Sequence, residues 1–109
     1  MYENKPLLNA ILKALEDIQA SDVTIIDVSQ QTTITDVMVI CSGRSSRHVK
    51  AIAEQVMGHL KALNMPSLSH HGLQSADWAL VDFGDVILHV MQPDSRSFYN
   101  LEGLWQHGA

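Results

Sequence analysis

A single α/β domain with a mixed β-sheet and packed helices is the fold class the sequence predicts, and three patterns predict it. Two stretches carry apolar residues at helical spacing: Leu8, Ile11, Leu12, Leu15 and Ile18, then Val49, Ile52, Ala53, Val56, Leu60 and Leu63. Two runs rich in β-branched residues, Asp22–Val28 and Asp36–Cys41, separate those stretches and read as strands. From Ala76 to Met91 the chain alternates around Gly84-Asp85, a dipeptide that closes two-residue hairpins. The order α-β-β-α-(β)-β-β-α fits one domain over residues 1–109.

Each element has its own local reason. Pro6 suits the first helical turn, where its missing N–H costs little. Ser29-Gln30-Gln31-Thr32-Thr33 is a polar connector. Asp36–Cys41 is apolar on both alternations, as a central strand covered on both faces would be. Gly43 ends that strand, and Ser45 or Ser46 can cap the second helix, which Asn64-Met65-Pro66 stops. Ser67–Gly72 holds either a short strand or a loop. After Pro93-Asp94 a short last helix is expected, capped by Asp94 or Ser95, with Phe98, Leu101, Leu104 and Trp105 at helical spacing.

The hairpin turn sets a register, and the register sorts the side chains. Phe83 faces Val86, Val81 faces Leu88 and Ala79 faces Val90, so one face is wholly apolar. The other pairs Asp82 with Ile87, Leu80 with His89 and Trp78 with Met91. A greasy face punctuated by Trp, His, Met and Asp suits protein binding better than a core. Trp78 and Met91 have a second possible cover in the last helix, whose Leu104 and Trp105 need a place to pack. His89 is expected to be satisfied by Asp82 or a backbone group, within or beside the binding face.

Composition excludes several classes. Seven basic against twelve acidic residues give a net charge of −5, too few cations to neutralise a phosphate backbone, so little direct nucleic-acid contact is expected. A partner with a basic surface is easier to accommodate. The lone Cys41 rules out an intrachain disulfide and fits a reducing compartment. No apolar run approaches the ~18 residues of a membrane span. Met1 to Pro6 leads straight into an amphipathic segment unlike a signal or transit peptide, so the expected location is cytoplasmic, away from membranes.

Four chemical motifs tempt and are set aside. Asp82-Phe83-Gly84 matches the kinase magnesium tripeptide but lacks every companion motif and is better read as the hairpin turn. Gly43-Arg44-Ser45-Ser46 has the shape of an anion-binding strand-to-helix turn. A nucleotide-binding or nucleotidyltransferase-like enzyme using that turn is the alternative function, yet no acidic pair follows to hold magnesium. His70-His71 point oppositely in extended chain and have no further ligand at metal-site spacing. A Cys41–His89–Asp82 hydrolase has no sequence signature. No catalytic residue, metal ligand or cofactor site is assigned.

Three segments resemble the ribosomal silencing factor S family, also called Iojap-like proteins. They are Ile34-Thr35-Asp36 through Arg47-His48-Val49, Ala76-Asp77-Trp78 through His89-Val90, and Arg96-Ser97-Phe98 through Gly103-Leu104-Trp105. Their order and separations extend the resemblance over nearly the whole chain. It implies a nucleotidyltransferase-like α/β domain without enzymatic activity, a homodimer in isolation. It further implies binding to large-subunit ribosomal protein fourteen on the subunit-joining face. There such a factor blocks the small subunit sterically and lowers translation when nutrients are scarce, as in stationary phase. On this reading Trp78, Leu80, Ile87, His89 and Met91 carry binding to the large ribosomal subunit, with Tyr99 and Glu102 contributing from the last helix. One departure stands out: His71-Gly72 replaces the Glu-Gly common in the family, so the turn glycine stays and the carboxylate is lost.

Overall fold

Local chemistry starts and stops the two long helices where the sequence indicates. In the computed structural model, which describes residues 5–106, α1 (Pro6–Asp17) has proline in its first turn and buries Leu8, Ile11, Ala14 and Leu15. Leu12 and Ile18 flank that face, partly buried. The expectation that the chain begins without a leader concerns residues 1–4, which lie outside the described ones. Helix α2 (Ser46–Ala62) is capped by Ser45, whose Oγ accepts the backbone N–H of His48. His48 Nδ1 accepts the N–H of Arg44, so two donors at this helix start are satisfied. Of the expected stripe, only Leu63, at the C-cap, is left exposed.

Five strands form one sheet: β1 (Ser21–Asp27), β2 (Val37–Ser42), β3 (Ser69–His71), β4 (Trp78–Asp82) and β5 (Val86–Met91). Their order is β1-β2-β5-β4-β3, with β2 and β5 parallel and the other pairs antiparallel. The segment left open between strand and loop is therefore a short edge strand, β3, exposed along its length. The hairpin register is the one the turn dictates, with Trp78 opposite Met91, Leu80 opposite His89 and Asp82 opposite Ile87. Gly84 (φ +92°) takes the first turn position, and its N–H is accepted by Asp82 Oδ1 at 2.7 Å. The kinase-like tripeptide is thus the turn itself.

The sheet divides the interior in two. Beneath α1 and α2 lie Val37, Val39, Cys41, Ala79, Val81, Leu88 and Val90. The opposite side holds a smaller cluster of Ile26, Val28, Met38, Ile40 and Met91, with Trp78, Leu101 and Trp105 packed against it.

The C-terminal region departs from the sequence reading. Two helices replace one: α3 (Pro93–Tyr99) and α4 (Leu101–Gln106), broken at Asn100 in the left-handed conformation (φ 49°, ψ 52°). Asn tolerates that conformation, and its Oδ1 accepts the N–H of Gly103 at the start of α4. Neither Asp94 nor Ser95 caps α3. Gln92 is the N-cap and makes no side-chain cap bond, while Asp94 sits in the first turn. The break also splits the expected apolar stripe. Leu101 and Trp105 pack inward, whereas Phe98 and Leu104 are 81% and 66% exposed.

Arg96 ties this region to the sheet. Its Nε and Nη2 grip the two carboxylate oxygens of Glu102 at 2.8 and 3.1 Å. Nη1 reaches Asp22 O and Ser42 Oγ, and Nη2 also reaches Thr24 Oγ1. A β-bulge between Ser21 and Thr24, with Asp22 at φ 51°, breaks the regular pairing where that carbonyl meets the guanidinium. All five guanidinium N–H groups are used, and the side chain is only 12% exposed. Arg96→Ala should therefore cost about 2–4 kcal/mol, read from the midpoint of urea unfolding. Arg96→Lys should recover little of it, because an ammonium cannot reproduce the fork.

Candidate functional site

The second face of the sheet is where the sequence places a binding surface, and its rows can now be followed across the strands. One row runs Thr24, Ile40, His89, Leu80, His71, and a second runs Ser42, Met91, Trp78. The sequence reading offers this face to a partner, with the last helix as a second possible cover for Trp78 and Met91. Helices α3 and α4 lie on part of it. Met91 is fully buried, His89 is 4% exposed and Ile87 is 9% exposed, so these three belong to the interior. Their strand is central, paired to β2 on one side and β4 on the other, and α4 contributes Leu101 and Trp105 above.

What remains accessible is a narrower aromatic ledge. Trp78 and Leu80 on β4 are partly exposed. Tyr99, 54% exposed, lays its ring 4.8 Å from Trp78 at an interplanar angle of 48°. Phe98 continues the series, edge-on to Tyr99 at 5.1 Å. Sequence reasoning missed Phe98 because it sat at core spacing in a helix assumed continuous. Glu102, expected to face a partner, has both carboxylate oxygens engaged by Arg96. His71 stands exposed on the edge strand beside Leu80.

His89 is satisfied by neither Asp82 nor the backbone. The indole N–H of Trp78 donates to His89 Nδ1 at 3.0 Å, and the rings lie 5.8 Å apart. An indole N–H can only donate, so Nδ1 must be unprotonated and the neutral ring carries its proton on Nε2. That Nε2 is buried and has no hydrogen-bond partner among the described residues. Burial pulls the His89 pKa down from 6.5 to about 4.

The tempting chemistry dissolves in the geometry. Cys41 pairs with Val90 and faces the helix side, while His89 and Asp82 face the other, so the sheet separates the imagined triad. Burial pushes the Cys41 thiol up to about 12, far from a reactive thiolate. At Gly43 a Cβ would meet Val49 Cγ2 at 2.8 Å, and its N–H is bonded to Met91 O. Close packing of α2 on β2 accounts for that glycine. His70 and His71 lie exposed on the edge strand, and no group of three or more potential metal ligands converges among the described residues. Among them, too, no helix is long and apolar enough to cross a membrane.

Comparison with known proteins matches residues 2–109 to the family described as ribosomal silencing factor during starvation. The chain is 41% identical over 107 residues to the ribosomal silencing factor RsfS of Zymomonas mobilis, covering 98% of this chain and 80% of that one. It is 35% identical to the mouse mitochondrial assembly of ribosomal large subunit protein 1, covering 90% of this chain and 44% of that longer protein. A Chromobacterium violaceum crystal structure superposes with a TM-score of 0.92 at 37% identity, covering 96% of this chain and 88% of that one. The chain belongs to the ribosomal silencing factor family. The family description and the name of the Zymomonas relative are those of a regulatory silencing factor.

The buried imidazole makes stability pH-dependent in a defined sense. Its folded pKa of about 4 lies below the ordinary 6.5, so between those values the unfolded chain binds the extra proton. The contribution is complete above pH 6.5 and is lost as pH falls toward 4, by an amount on the order of 2–3 kcal/mol. Denaturant midpoints of the wild type and His89→Asn, measured from pH 7 to 4.5, should diverge by that loss. Parallel profiles would contradict the buried, neutral imidazole.

Proposed function

We propose that this chain silences translation without catalysis, by binding the large ribosomal subunit at ribosomal protein fourteen and sterically blocking the small subunit. The observation that carries the reading is the aromatic ledge of Trp78, Tyr99 and Phe98 beside Leu80, in a chain that matches the silencing-factor family along its length. Exposed rings of this kind are the usual energetic centres of protein interfaces, combining large apolar area with few rotatable bonds. The net charge of −5 favours approach to a basic ribosomal protein and disfavours direct contact with RNA. The name of the mouse relative independently couples such a chain to the large subunit.

Trp78, Leu80 and Tyr99 are the direct contacts in this reading, with Phe98 added. Ile87, His89, Met91 and Glu102 act from beneath, by holding the ledge in place. The same apolar surface would pair two copies in the absence of ribosomes, giving the homodimer. Light scattering at high micromolar concentration should report a dimer, and a clean monomer would argue against self-association through the ledge.

The decisive measurement is cosedimentation with isolated large subunits, joined to an assay of their association with small subunits. Tyr99→Ala and Trp78→Ala should each weaken binding by about 30-fold, as loss of an interface anchor costs roughly 2 kcal/mol. Both should release the block on subunit joining. Trp78 also touches the second core, so its variant needs a melting curve alongside. Native-like melting with lost binding supports the interface, and unchanged binding by both variants would exclude the ledge.

A further inference from the structure

The indole N–H of Trp78 is spent inside the chain. It points at His89 Nδ1, one residue-pair diagonally across the hairpin, while Tyr99 packs at a tilt against the ring. A tryptophan on a strand has two side-chain torsions, the second broad, so an unsupported indole would sample several orientations. Here the indole N–H is held by the bond it donates to His89, and Tyr99 packs against the ring. The ordering of that side chain is completed before any partner arrives.

His89 is a costly way to achieve stability alone. Its buried Nε2–H has no partner among the described residues, and an unmade bond of that kind is destabilising. An apolar residue of similar size would avoid that cost, and the partly exposed Trp78 could turn its N–H to water. A group that orients its neighbour at the expense of stability is expected where a site is preorganised.

We propose that His89 is a positioning residue: its unprotonated Nδ1 holds the Trp78 indole, and through it the edge-on Tyr99–Phe98 pair, in the orientation that docks. The proposal rests on the large-subunit reading of the ledge and assigns His89 no contact with the partner.

The test uses the full chain, isolated large subunits and the indole N–H resonance of Trp78, identified by its loss in Trp78→Phe. His89→Leu should melt at or above the wild-type temperature at pH 7, exchange the indole proton faster and bind roughly fivefold more weakly. His89→Asn, whose Oδ1 can stand where Nδ1 stood, should recover most of that binding. In a Trp78→Phe background His89→Leu should cause no further loss, because the group it acts through is gone. Wild-type binding by His89→Leu, or an equal loss in the Trp78→Phe background, would overturn positioning through the indole while leaving the function standing. If His89→Leu does not fold, the remaining pair decides: Trp78→Phe that binds as wild type overturns the proposal, and a fivefold loss with His89→Asn intact supports it. A wild-type protein that fails to bind large subunits removes the function and this proposal together.

Discussion

The guanidinium of Arg96 joins α3, in which it sits, to α4 through Glu102, to β1 through Asp22 and Thr24, and to β2 through Ser42. No other side chain contacts so many separate elements through polar atoms among the described residues, and the second face takes its form from that convergence. Helices of seven and six residues are too short to persist by propensity. They are held by Leu101 and Trp105 against the smaller core and by this charged fork at its edge. Gln31 adds a third tether, donating from Nε2 to the backbone carbonyl of Trp105 at 2.9 Å. Charge-assisted, bidentate bonds are directional, so they place the helices as well as hold them.

That placement makes the two faces of the sheet unequal. On the helix side the core is built from apolar side chains of both layers. On the other side the cover is incomplete, and the boundary runs through Trp78. The indole body rests on the smaller core, its N–H is taken by His89, and its outer surface continues into Tyr99 and Phe98. Interior and interface share one side chain here. Mutations at Trp78 therefore report on both, and buried residues such as Met91 and His89 can influence binding through the shape they impose.

Much of the fold was legible because it obeys local periodicities. The α1 and α2 stripes, the all-apolar hairpin face and the register set by Gly84-Asp85 follow from spacing alone. The central strand, buried at all six positions, was visible in its unbroken apolar run. The candidate site was only half legible. Alternation put Trp78, Leu80, Ile87, His89 and Met91 on one face correctly, but alternation carries no information about what lies above that face. Trp105 packs on a cluster that includes Ile26 of β1, with seventy-odd residues of chain between β1 and α4.

The pairing of Arg96 with Glu102 shows why. In a continuous helix, residues six apart lie about 120° apart around the axis and do not meet. Only the left-handed turn at Asn100 brings them together, and the same turn sends Phe98 outward and Trp105 inward. The amino-acid sequence by itself determined the fold class, the hairpin register, a helix cap at Ser45 or Ser46 and, through its three signature segments, the family. Tertiary structure decided which residues of the mixed face stay in contact with solvent. The first set depends on interactions between near neighbours and on patterns of two and 3.6 residues. The second depends on the backbone turn at Asn100 and on five hydrogen bonds from Arg96, three of them to strands distant in sequence. No spacing rule encodes that combination.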